Sequence, residues 1–394
     1  MTEREFAIEC VRTLQRAGFR ALWAGGCVRD ELLGLAPQDY DVATDARPEQ
    51  VQGLFRRSLA IGAAFGVIEV IGPRLADGAH HTIEVATFRS DGAYTDGRRP
   101  DSIAFSNPEE DAQRRDFTIN GLFFDPIANE LHDFVGGRAD LLAKVLRAIG
   151  DPASRFEEDK LRVLRAVRIA ARFDLTIDPA TRDAARAIAP QIVVVSAERV
   201  AEELRKMLSH PNRDRGLSLL DEFDLARVLF PESCPIAATN LPPDASFELA
   251  LARILQASPR KRVEAVADWL KLSGAEKSRV AWLVANRDSL AEPIPLSRLK
   301  PLLAHPGGSE LIRLHKSLGH DVAFAERVLS ETPPDELNPP PFVTGEDLIA
   351  AGLKPGPEFK RLLDAVRAAQ LDETIRSKED GLRLARELRS LPPT

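Results

Sequence analysis

Two aspartates, Asp39 and Asp41, flank a single residue in a short segment with the β-branched and aromatic composition of a strand. Side chains two positions apart on a strand project from the same face, so both carboxylates can hold one divalent ion or two adjacent ions. Hard oxygen ligands of this kind suit Mg²⁺ that also holds substrate phosphates. Glu84 lies within another predicted strand and is a candidate third carboxylate. A solvated strand face is the alternative interpretation of Glu84.

Upstream of this pair, a Gly25-Gly26 turn leaves a predicted strand and opens a predicted helix. Without a Cβ in the way, backbone N–H groups there can approach phosphate oxygens, and Arg29 adds a charged fork one turn into the helix. Taken singly, a Gly-Gly pair is usually just a turn, and an Asp-x-Asp is more often solvated than a metal site. Because both occur in one strand–turn–helix–strand unit, the sequence predicts a phosphate site beside the metal site.

Four arginines recur at steps of three, three and four residues: Arg162, Arg165, Arg168 and Arg172. That spacing places them on one face of a helix. Asp159 stands three residues before the first of them, where it is expected to orient Arg162. Guanidinium groups offer rigid paired donors, and a carboxylate offers acceptors only. Alone, the row is most simply an exposed face with charge pairs; together with the Asp-x-Asp unit, a row that faces a nucleotide is favoured.

The elements that position these residues fall into two parts of different character. Short segments rich in β-branched and aromatic residues predict strands early in the chain, at 21–24, 40–42, 67–71, 82–88, 122–124 and 131–134. After about residue 139, apolar residues recur at helical spacing, and the predicted helices include 155–173, 180–188, 197–209 and 216–229. We therefore predict an N-terminal α/β domain with a small mixed sheet, followed by an all-helical arm.

Composition narrows the class of protein. The three cysteines among 394 residues are too scattered for a disulfide framework or a paired-cysteine metal site. No apolar run approaches the ~18 residues that span a bilayer, and the acidic N-terminus does not resemble a signal peptide, so we expect a cytoplasmic protein with no membrane partner.

The net charge of −7 argues against a general nucleic-acid binder. Residues 151–215, however, carry 13 Lys and Arg against 11 Asp and Glu, which permits a modest phosphate-binding surface.

Four segments together resemble a known family. They are Gly25-Gly26-x-Val28-Arg29-Asp30 through Asp39-x-Asp41, Arg114-Arg115-Asp116-Phe117-Thr118-Ile119-Asn120, Glu158-Asp159-x-x-Arg162, and Glu198 through Lys206. In order and spacing they are similar to the class II nucleotidyltransferases, which include the bacterial CCA-adding enzymes and poly(A) polymerases. Gly121 departs from the family pattern, which usually has alanine after the asparagine.

The resemblance implies a division of labour along the chain. It implies a polymerase-β-like nucleotidyltransferase head over 1–145, a helical neck that recognises the base over 146–210, a helical body over 211–335 and a helical, RNA-binding tail over 336–394. Mg²⁺ is expected on Asp39 and Asp41, with Glu84 retained as a candidate catalytic carboxylate. The expected nucleotide-binding residues are Gly26, Arg29, Arg115, Asp116, Asn120, Asp159, Arg162, Arg165 and Arg168, of which Asp159 and Arg162 would read the base.

The implied activity is template-independent addition of CMP and AMP, from CTP and ATP, to the 3′ end of tRNA. Poly(A) addition and CC-only or A-only addition share the same motifs and remain alternatives. Residues 60–69 lack the arginine-rich run associated with poly(A) polymerases at this place, which favours CCA addition. A non-enzymatic RNA-binding protein on an inactive nucleotidyltransferase fold is the alternative outside the enzyme class, and the intact Asp39, Asp41 and Arg29 argue against it. The oligomeric state is left open.

Overall fold

The structure is a computed structural model that describes residues 1–394 except 63–64, 76–77, 95–96, 98–99, 232–235, 237, 355, 357 and 391–394. The chain divides into two compact units, Met1–Ile236 and Ala237–Thr394. The predicted candidate residues all belong to the first unit. The finer division at residues 145, 210 and 335 stays a prediction.

The first unit begins with the strands of an α/β domain. In chain order the described strands are β1 (Ala21–Ala24), β2 (Asp41–Thr44), β3 (Ser58–Gly62), β4 (Val67–Arg74), β5 (His80–Thr87), β6 (Arg89–Asp91), β7 (Ile103–Phe105), β8 (Leu122–Asp125), β9 (Glu130–Asp133), β10 (Val145–Leu146) and β11 (Thr176–Ile177). Seven of them form one sheet in the order β3-β4-β5-β2-β1-β8-β9. The β2–β5 pair is parallel and the other pairs of this sheet are antiparallel, so the predicted small mixed sheet is confirmed.

Helices cover this sheet and connect its strands. They are α1 (Glu3–Arg16), α2 (Gly26–Leu32), α3 (Pro48–Leu54), α4 (Pro108–Gln113) and α5 (Gly137–Leu142). Helix α1 buries Ala7, Cys10, Val11 and Leu14 and packs against β1, β2 and β5. All four residues of β1 are buried, and that rigid central strand carries the turn from which α2 starts.

The rest of the first unit is helical apart from the short parallel pair β10–β11. It comprises α6 (Pro152–Glu158), α7 (Leu161–Phe173), α8 (Pro179–Ile188), α9 (Ala197–Leu208), α10 (Arg213–Glu222) and α11 (Leu225–Leu229). The single helix predicted over 155–173 is wrong, because Asp159 is extended (φ −151°, ψ 105°) and separates α6 from α7. The helix predicted over 216–229 is also two helices, divided where Asp224 turns left-handed with φ 58°.

The second unit is helical among the residues described. Its helices are α12 (Phe247–Ile254), α13 (Arg260–Trp269), α14 (Gly274–Ala285), α15 (Leu296–Ala304), α16 (Gly308–Ser317), α17 (Ala323–Glu331), α18 (Pro334–Leu337), α19 (Gly345–Ala350), α20 (Glu358–Leu371) and α21 (Lys378–Ser390). Val343, Leu348, Leu362, Val366 and Ala385 form a core that joins the last three helices. Searching the described residues for a helix long and apolar enough to cross a membrane finds none.

Candidate active site

A cavity of about 790 Å³ opens in the first unit, bounded by α2, the segment before β2, α7 and α9. Its described lining residues are Gly25, Gly26, Arg29, Gln38, Asp39, Asp41, Arg114, Arg115, Asp116, Asn120, Asp159, Leu161, Arg162, Arg165, Arg168, Ile169, Arg172, Arg199, Lys206, Ser209 and His210. The structure thus brings Asp39, Asp41 and all nine predicted nucleotide-binding residues to one cavity. Glu84 is not in the lining.

The turn between β1 and α2 requires glycine at its first position. Gly25 has φ +75°, a backbone conformation that residues other than glycine rarely adopt. A Cβ there would also stand 2.7 Å from Nη1 of Arg115. The turn is anchored on the sheet because Gly25 N–H donates to the carbonyl of Leu122 at 2.9 Å. The missing Cβ therefore lets an arginine approach the backbone at the mouth of α2.

The two aspartates differ in their backbone position from the prediction. Strand β2 begins at Asp41, so Asp39 lies two residues before the strand rather than on it. Both carboxylates nevertheless line the cavity, and Glu84 is the register partner of Asp41 on β5. Burial, with the nearby charges of Asp39 and Glu84, raises the pKa of Asp41 to about 7. The pKa of Glu84 is also raised, by burial and by the charges of Glu69 and Asp39.

This donor set fits a divalent cation. The raised pKa of Asp41 reports negative charge crowded into a partly buried place, with Arg115 as a weaker opposing charge. A cation would relieve that repulsion, and carboxylate oxygens are the ligands that hard cations prefer. Within the described part of the chain, no group of three or more His, Cys, Asp and Glu side chains is arranged to hold a metal. Asp39 and Asp41 are the candidate ligands because both line the cavity, with further ligands left to substrate or solvent.

Asp116 lies at the centre of a buried polar network behind the cavity. Its carboxylate accepts from Arg165 Nη2 at 2.7 Å and from Asn120 Nδ2 at 3.0 Å. Asn120 Oδ1 in turn accepts from Arg29 Nη1 at 2.6 Å. Burial alone would raise the pKa of Asp116, but the charge of Arg165 and these hydrogen bonds hold it well below its usual range. The carboxylate is consequently a fixed negative charge that orients Arg165.

Arg115 is held by a carboxylate that the sequence analysis did not single out. Its Nε and Nη2 donate to Asp111 at 3.2 and 3.0 Å, and its Nη1 donates to the carbonyl of Asn120 at 3.3 Å. Asp111 is 1% exposed and also accepts from Arg114. Asp111 precedes Arg114 and Arg115 by three and four residues, so helical spacing alone could have indicated that it pairs with them.

The predicted pairing of Asp159 with Arg162 is wrong. Asp159 instead accepts two hydrogen bonds from Arg199 on α9, at 3.1 and 2.6 Å, while Arg162 pairs with Glu158. The reason is the break between α6 and α7: outside a helix, residues three apart no longer face each other. Asp159 also accepts from the backbone N–H of Leu161 at 3.1 Å, which fixes it at the start of α7. Both Asp159 and Arg162 still line the cavity.

Glu203 on α9 is a further residue that sequence reasoning missed. It is 4% exposed, pairs with Arg168 and lies 3.5 Å from Arg165. Glu203 and Arg199 both belong to the segment from Glu198 through Lys206 that carries part of the family resemblance, but the sequence predicted no role for either residue. The two residues are four positions apart on one predicted helix, so their spacing could have shown that they share a helix face.

The charge of the cavity suits a polyanion. Among the described lining residues, nine are Lys or Arg and four are Asp. The lining arginines are paired with carboxylates, some from the same helix, as Arg29 is with Asp30, and some from other elements, as Arg165 is with Asp116. Their guanidinium groups are therefore held in position before a ligand arrives. Phosphates favour such planar paired donors. The charge of the cavity therefore suits a phosphorylated ligand next to the carboxylates of Asp39 and Asp41.

Two family descriptions match the first unit. Residues 21–147 match the poly A polymerase head domain. Residues 174–236 match a family described as the probable RNA and SrmB-binding site of polymerase A. The two matches lie on either side of α6 and α7.

Individual proteins are similar over longer stretches. The CCA-adding enzyme of Levilactobacillus brevis is 32% identical over 378 residues, which are 92% of this chain and 92% of that protein. The poly(A) polymerase I of Haemophilus influenzae is 38% identical over 238 residues, covering 57% of this chain but only about half (51%) of that protein. The crystal structure of the Bacillus stearothermophilus CCA-adding enzyme in complex with CTP has the same fold, with a TM-score of 0.81 at 24% identity over 99% of this chain and 98% of that one.

Proposed function

The chain belongs to the nucleotidyltransferase family of CCA-adding enzymes and bacterial poly(A) polymerases, and from that premise we propose that it adds CMP and AMP to the 3′ end of tRNA. CTP and ATP are the proposed donors and tRNA without a complete 3′ end is the acceptor. Addition needs no nucleic-acid template, because side chains of the protein would choose the base. A protein that acts on tRNA works where tRNA is, so we also propose a cytoplasmic location.

One observation carries this proposal: a single cavity contains both a carboxylate pair and a fixed donor–acceptor set. Asp39 and Asp41 supply oxygen ligands, and Asp159 and Arg162 supply an acceptor and donors. Such donors and acceptors can match the Watson–Crick edge of a base. Because Arg199 holds Asp159 from α9, the acceptor is rigid enough to discriminate between bases.

In the proposed reaction the RNA 3′-hydroxyl attacks the α-phosphorus of the nucleotide and forms the new P–O bond. The bond from the α-phosphorus to the α,β-bridging oxygen breaks, pyrophosphate leaves, and the hydroxyl proton passes to solvent. Positioning and charge stabilisation dominate in reactions of this type. Arg29 and the turn at Gly26 would bind the triphosphate, and Arg115 would bind the nucleotide near the carboxylates. Asp116 and Asn120 would shape the pocket by fixing Arg165 and Arg29.

Asp39 and Asp41 would hold Mg²⁺, which when bound lowers the pKa of the attacking hydroxyl and stabilises charge on the phosphates. Glu84, beside Asp41 on the neighbouring strand, would strengthen cation binding through its negative charge. The helical tail over 336–394 is proposed to bind RNA.

Poly(A) addition is the second candidate, because the matched part of a poly(A) polymerase is 38% identical to this chain. The full-length match is to a CCA-adding enzyme, at 92% of both chains, and this favours CCA addition.

Product length separates these activities. The experiment incubates the protein with tRNA that lacks its last three nucleotides and with CTP alone, ATP alone or both. CCA addition predicts two added nucleotides with CTP, none with ATP and three with both. A long ladder with ATP alone would establish poly(A) addition instead, and the absence of any product would remove the proposal.

A further inference from the structure

Tyr40 stands between the two candidate cation ligands, and its side chain lies on the other side of the chain from theirs. Asp39 and Asp41 line the cavity, whereas Tyr40 is not among the described lining residues and is only 5% exposed. Neighbouring side chains of an extended segment project to opposite faces. Whatever holds the side chain of Tyr40 therefore determines the side on which both carboxylates lie.

Tyr40 belongs to a ring of contacts that joins α1, β1 and α2. Its hydroxyl donates to Oε1 of Glu31 on α2 at 2.6 Å, and its ring packs on the buried ring of Trp23 on β1, with the ring centroids 4.9 Å apart. Arg4 on α1 donates to the same oxygen of Glu31 at 2.8 Å and lies over the Trp23 ring at 5.2 Å. We call these four residues the Tyr40 cluster. Each member contacts two others, so displacing any one of them breaks two contacts.

The segment that carries Asp39 depends on such an anchor. Strand β2 begins only at Asp41, so the hydrogen bonds of the sheet do not fix the backbone of Asp39. Two carboxylates that share a cavity also repel each other until a cation joins them. Tyr40 ties this segment to α2 through its hydroxyl and to the sheet through its ring, which opposes that repulsion.

The hydrogen bond from Tyr40 to Glu31 is the strongest contact of the cluster. Burial alone would raise the pKa of Glu31, but the hydrogen bonds from Arg4 and Tyr40 lower it below its usual value, so Glu31 is ionised near neutral pH. A hydroxyl that donates to a carboxylate is roughly twice as strong a partner as a neutral pair. The Arg4 and Glu31 side chains are 50% and 30% exposed, and a pair this accessible contributes less.

We propose that Tyr40 is a positioning residue for the Asp39 and Asp41 pair: its hydroxyl, held by Glu31, fixes the spacing of the two carboxylates and thereby the affinity for the divalent cation. The inference rests on the proposed function only in placing that cation on the two aspartates. A tyrosine that served only to pack the core would depend on its ring, which contacts Trp23, and not on its hydroxyl. Removing the hydroxyl alone therefore distinguishes the two roles.

Titration of the full-length chain with Mn²⁺ alone, followed by the electron paramagnetic resonance signal of free Mn²⁺, measures cation affinity without RNA or nucleotide. Tyr40→Phe keeps the ring and removes the hydroxyl. We expect it to bind Mn²⁺ roughly tenfold more weakly, as is typical when a residue that orients a metal ligand is changed.

Tyr94→Phe is the matched control. The Tyr94 hydroxyl also donates to a carboxylate at 2.6 Å, that of Asp91, but Tyr94 follows β6 and is not among the described residues that line the cavity. Tyr94→Phe should bind Mn²⁺ with the affinity of the wild type. An equal weakening in Tyr94→Phe would overturn the inference, because the effect would then not depend on the position of the hydroxyl.

Glu31 supplies a second pair of variants. Glu31→Ala removes the acceptor and should weaken Mn²⁺ binding as much as Tyr40→Phe does, whereas Glu31→Gln keeps an acceptor oxygen and should retain most of the affinity. The double variant Tyr40→Phe/Glu31→Ala should lose no more than either single variant, because both remove the same hydrogen bond. If Glu31→Ala binds Mn²⁺ as tightly as the wild type, Glu31 does not hold Tyr40 in the way proposed.

The outcomes separate this inference from the proposed function. A selective loss of Mn²⁺ affinity in Tyr40→Phe supports the inference even if the wild type adds no CMP to tRNA. Unchanged Mn²⁺ affinity overturns it, even where urea unfolding shows Tyr40→Phe to be less stable, because the tyrosine would then only pack the core. Equal Mn²⁺ binding by Asp41→Asn and the wild type would place the cation elsewhere and would overturn it as well.

Discussion

The two charged regions of the cavity are built on opposite principles. At Asp39 and Asp41, with Glu84 outside the lining on the neighbouring strand, like charges lie close together, and burial together with these charges raises the pKa of Asp41 to about 7. Along α7, arginines are matched with carboxylates from other elements, as Arg165 is with Asp116 and Arg168 with Glu203. In the first region, negative charges repel one another. In the second, Arg165 and Arg168 have carboxylate partners in place before any ligand arrives.

This difference suggests separate roles for the carboxylates near Asp41 and for the arginines of α7. A cluster of unbalanced carboxylates destabilises the protein and is retained where function needs it. A balanced row rigidifies its donors and acceptors, as a site that discriminates between bases requires. Removing a carboxylate should therefore have opposite effects on stability in the two regions, and different effects on catalysis.

The largest expected effect is on turnover. Asp41→Asn should lower the rate of CMP incorporation by roughly 10³-fold, because an amide is a poor ligand for the proposed Mg²⁺. Single-turnover extension of truncated tRNA measures it. Asp45→Asn, just beyond β2 and exposed, is the matched control and should be near wild type. A folded Asp41→Asn protein with near-normal rate would remove the metal assignment.

The next effect concerns the balanced row. Asp116→Asn should lower the free energy of unfolding by about 3 kcal/mol, since it removes the closer charged partner of Arg165 and leaves it with Glu203 at 3.5 Å. Urea unfolding at pH 7.5 measures the change, with Asp183→Asn on the exposed face of α8 as control. If Asp116→Asn and the control unfold at the same urea concentration, Asp116 does not hold the row together.

Asp41→Asn should act on stability in the other direction. The pKa of Asp41 is raised when folded, from 3.8 to about 7, so the stability it contributes is present below pH 3.8 and is lost as pH rises through 7. With a chelator present, the variant and the wild type should be equally stable near pH 4. By pH 8 the variant should be more stable, by up to about 4 kcal/mol for a pKa raised from 3.8 to about 7. A wild type that is the more stable of the two at pH 8 would show that the carboxylates do not repel each other.

The smallest effect concerns the choice of base. Asp159→Asn should lower the preference for CTP over UTP about tenfold, because it replaces a pure acceptor with a group that can also donate. The ratio of kcat/KM for the two nucleotides measures it. Arg199→Gln should shift the ratio in the same direction, since Arg199 holds Asp159 in place. An unchanged ratio in Asp159→Asn would exclude it from base recognition.

Much of the fold could be predicted because its local patterns are strong. The strand predicted at 21–24 matches β1, and the helix predicted at 180–188 matches α8 to within one residue. Strands β6 and β7 were missed because three-residue segments have too little pattern to distinguish them from loops. The break at Asp159 was missed because the apolar periodicity of α6 continues into α7.

The sequence could predict which residues line the candidate site, but it could not predict which of their side chains form ion pairs. Sequence spacing brought Arg162, Arg165 and Arg168 to one face. It could not show that Asp116 pairs with Arg165 across 49 residues or that Arg199 pairs with Asp159 across 40. Such contacts depend on how α7, α9 and the sheet pack, and local spacing carries no information about that.

The central claim is that Asp39, Asp41 and Glu84 determine the rate of transfer, whereas the arginines of α7 and their carboxylate partners determine which base is chosen. Measuring CMP incorporation and the binding preference for CTP over UTP in both Asp41→Asn and Asp159→Asn tests it directly. The account predicts that Asp41→Asn loses incorporation and keeps the binding preference, and that Asp159→Asn keeps most incorporation and loses the preference. If either variant changes both quantities by the same factor, the two regions do not have separate roles.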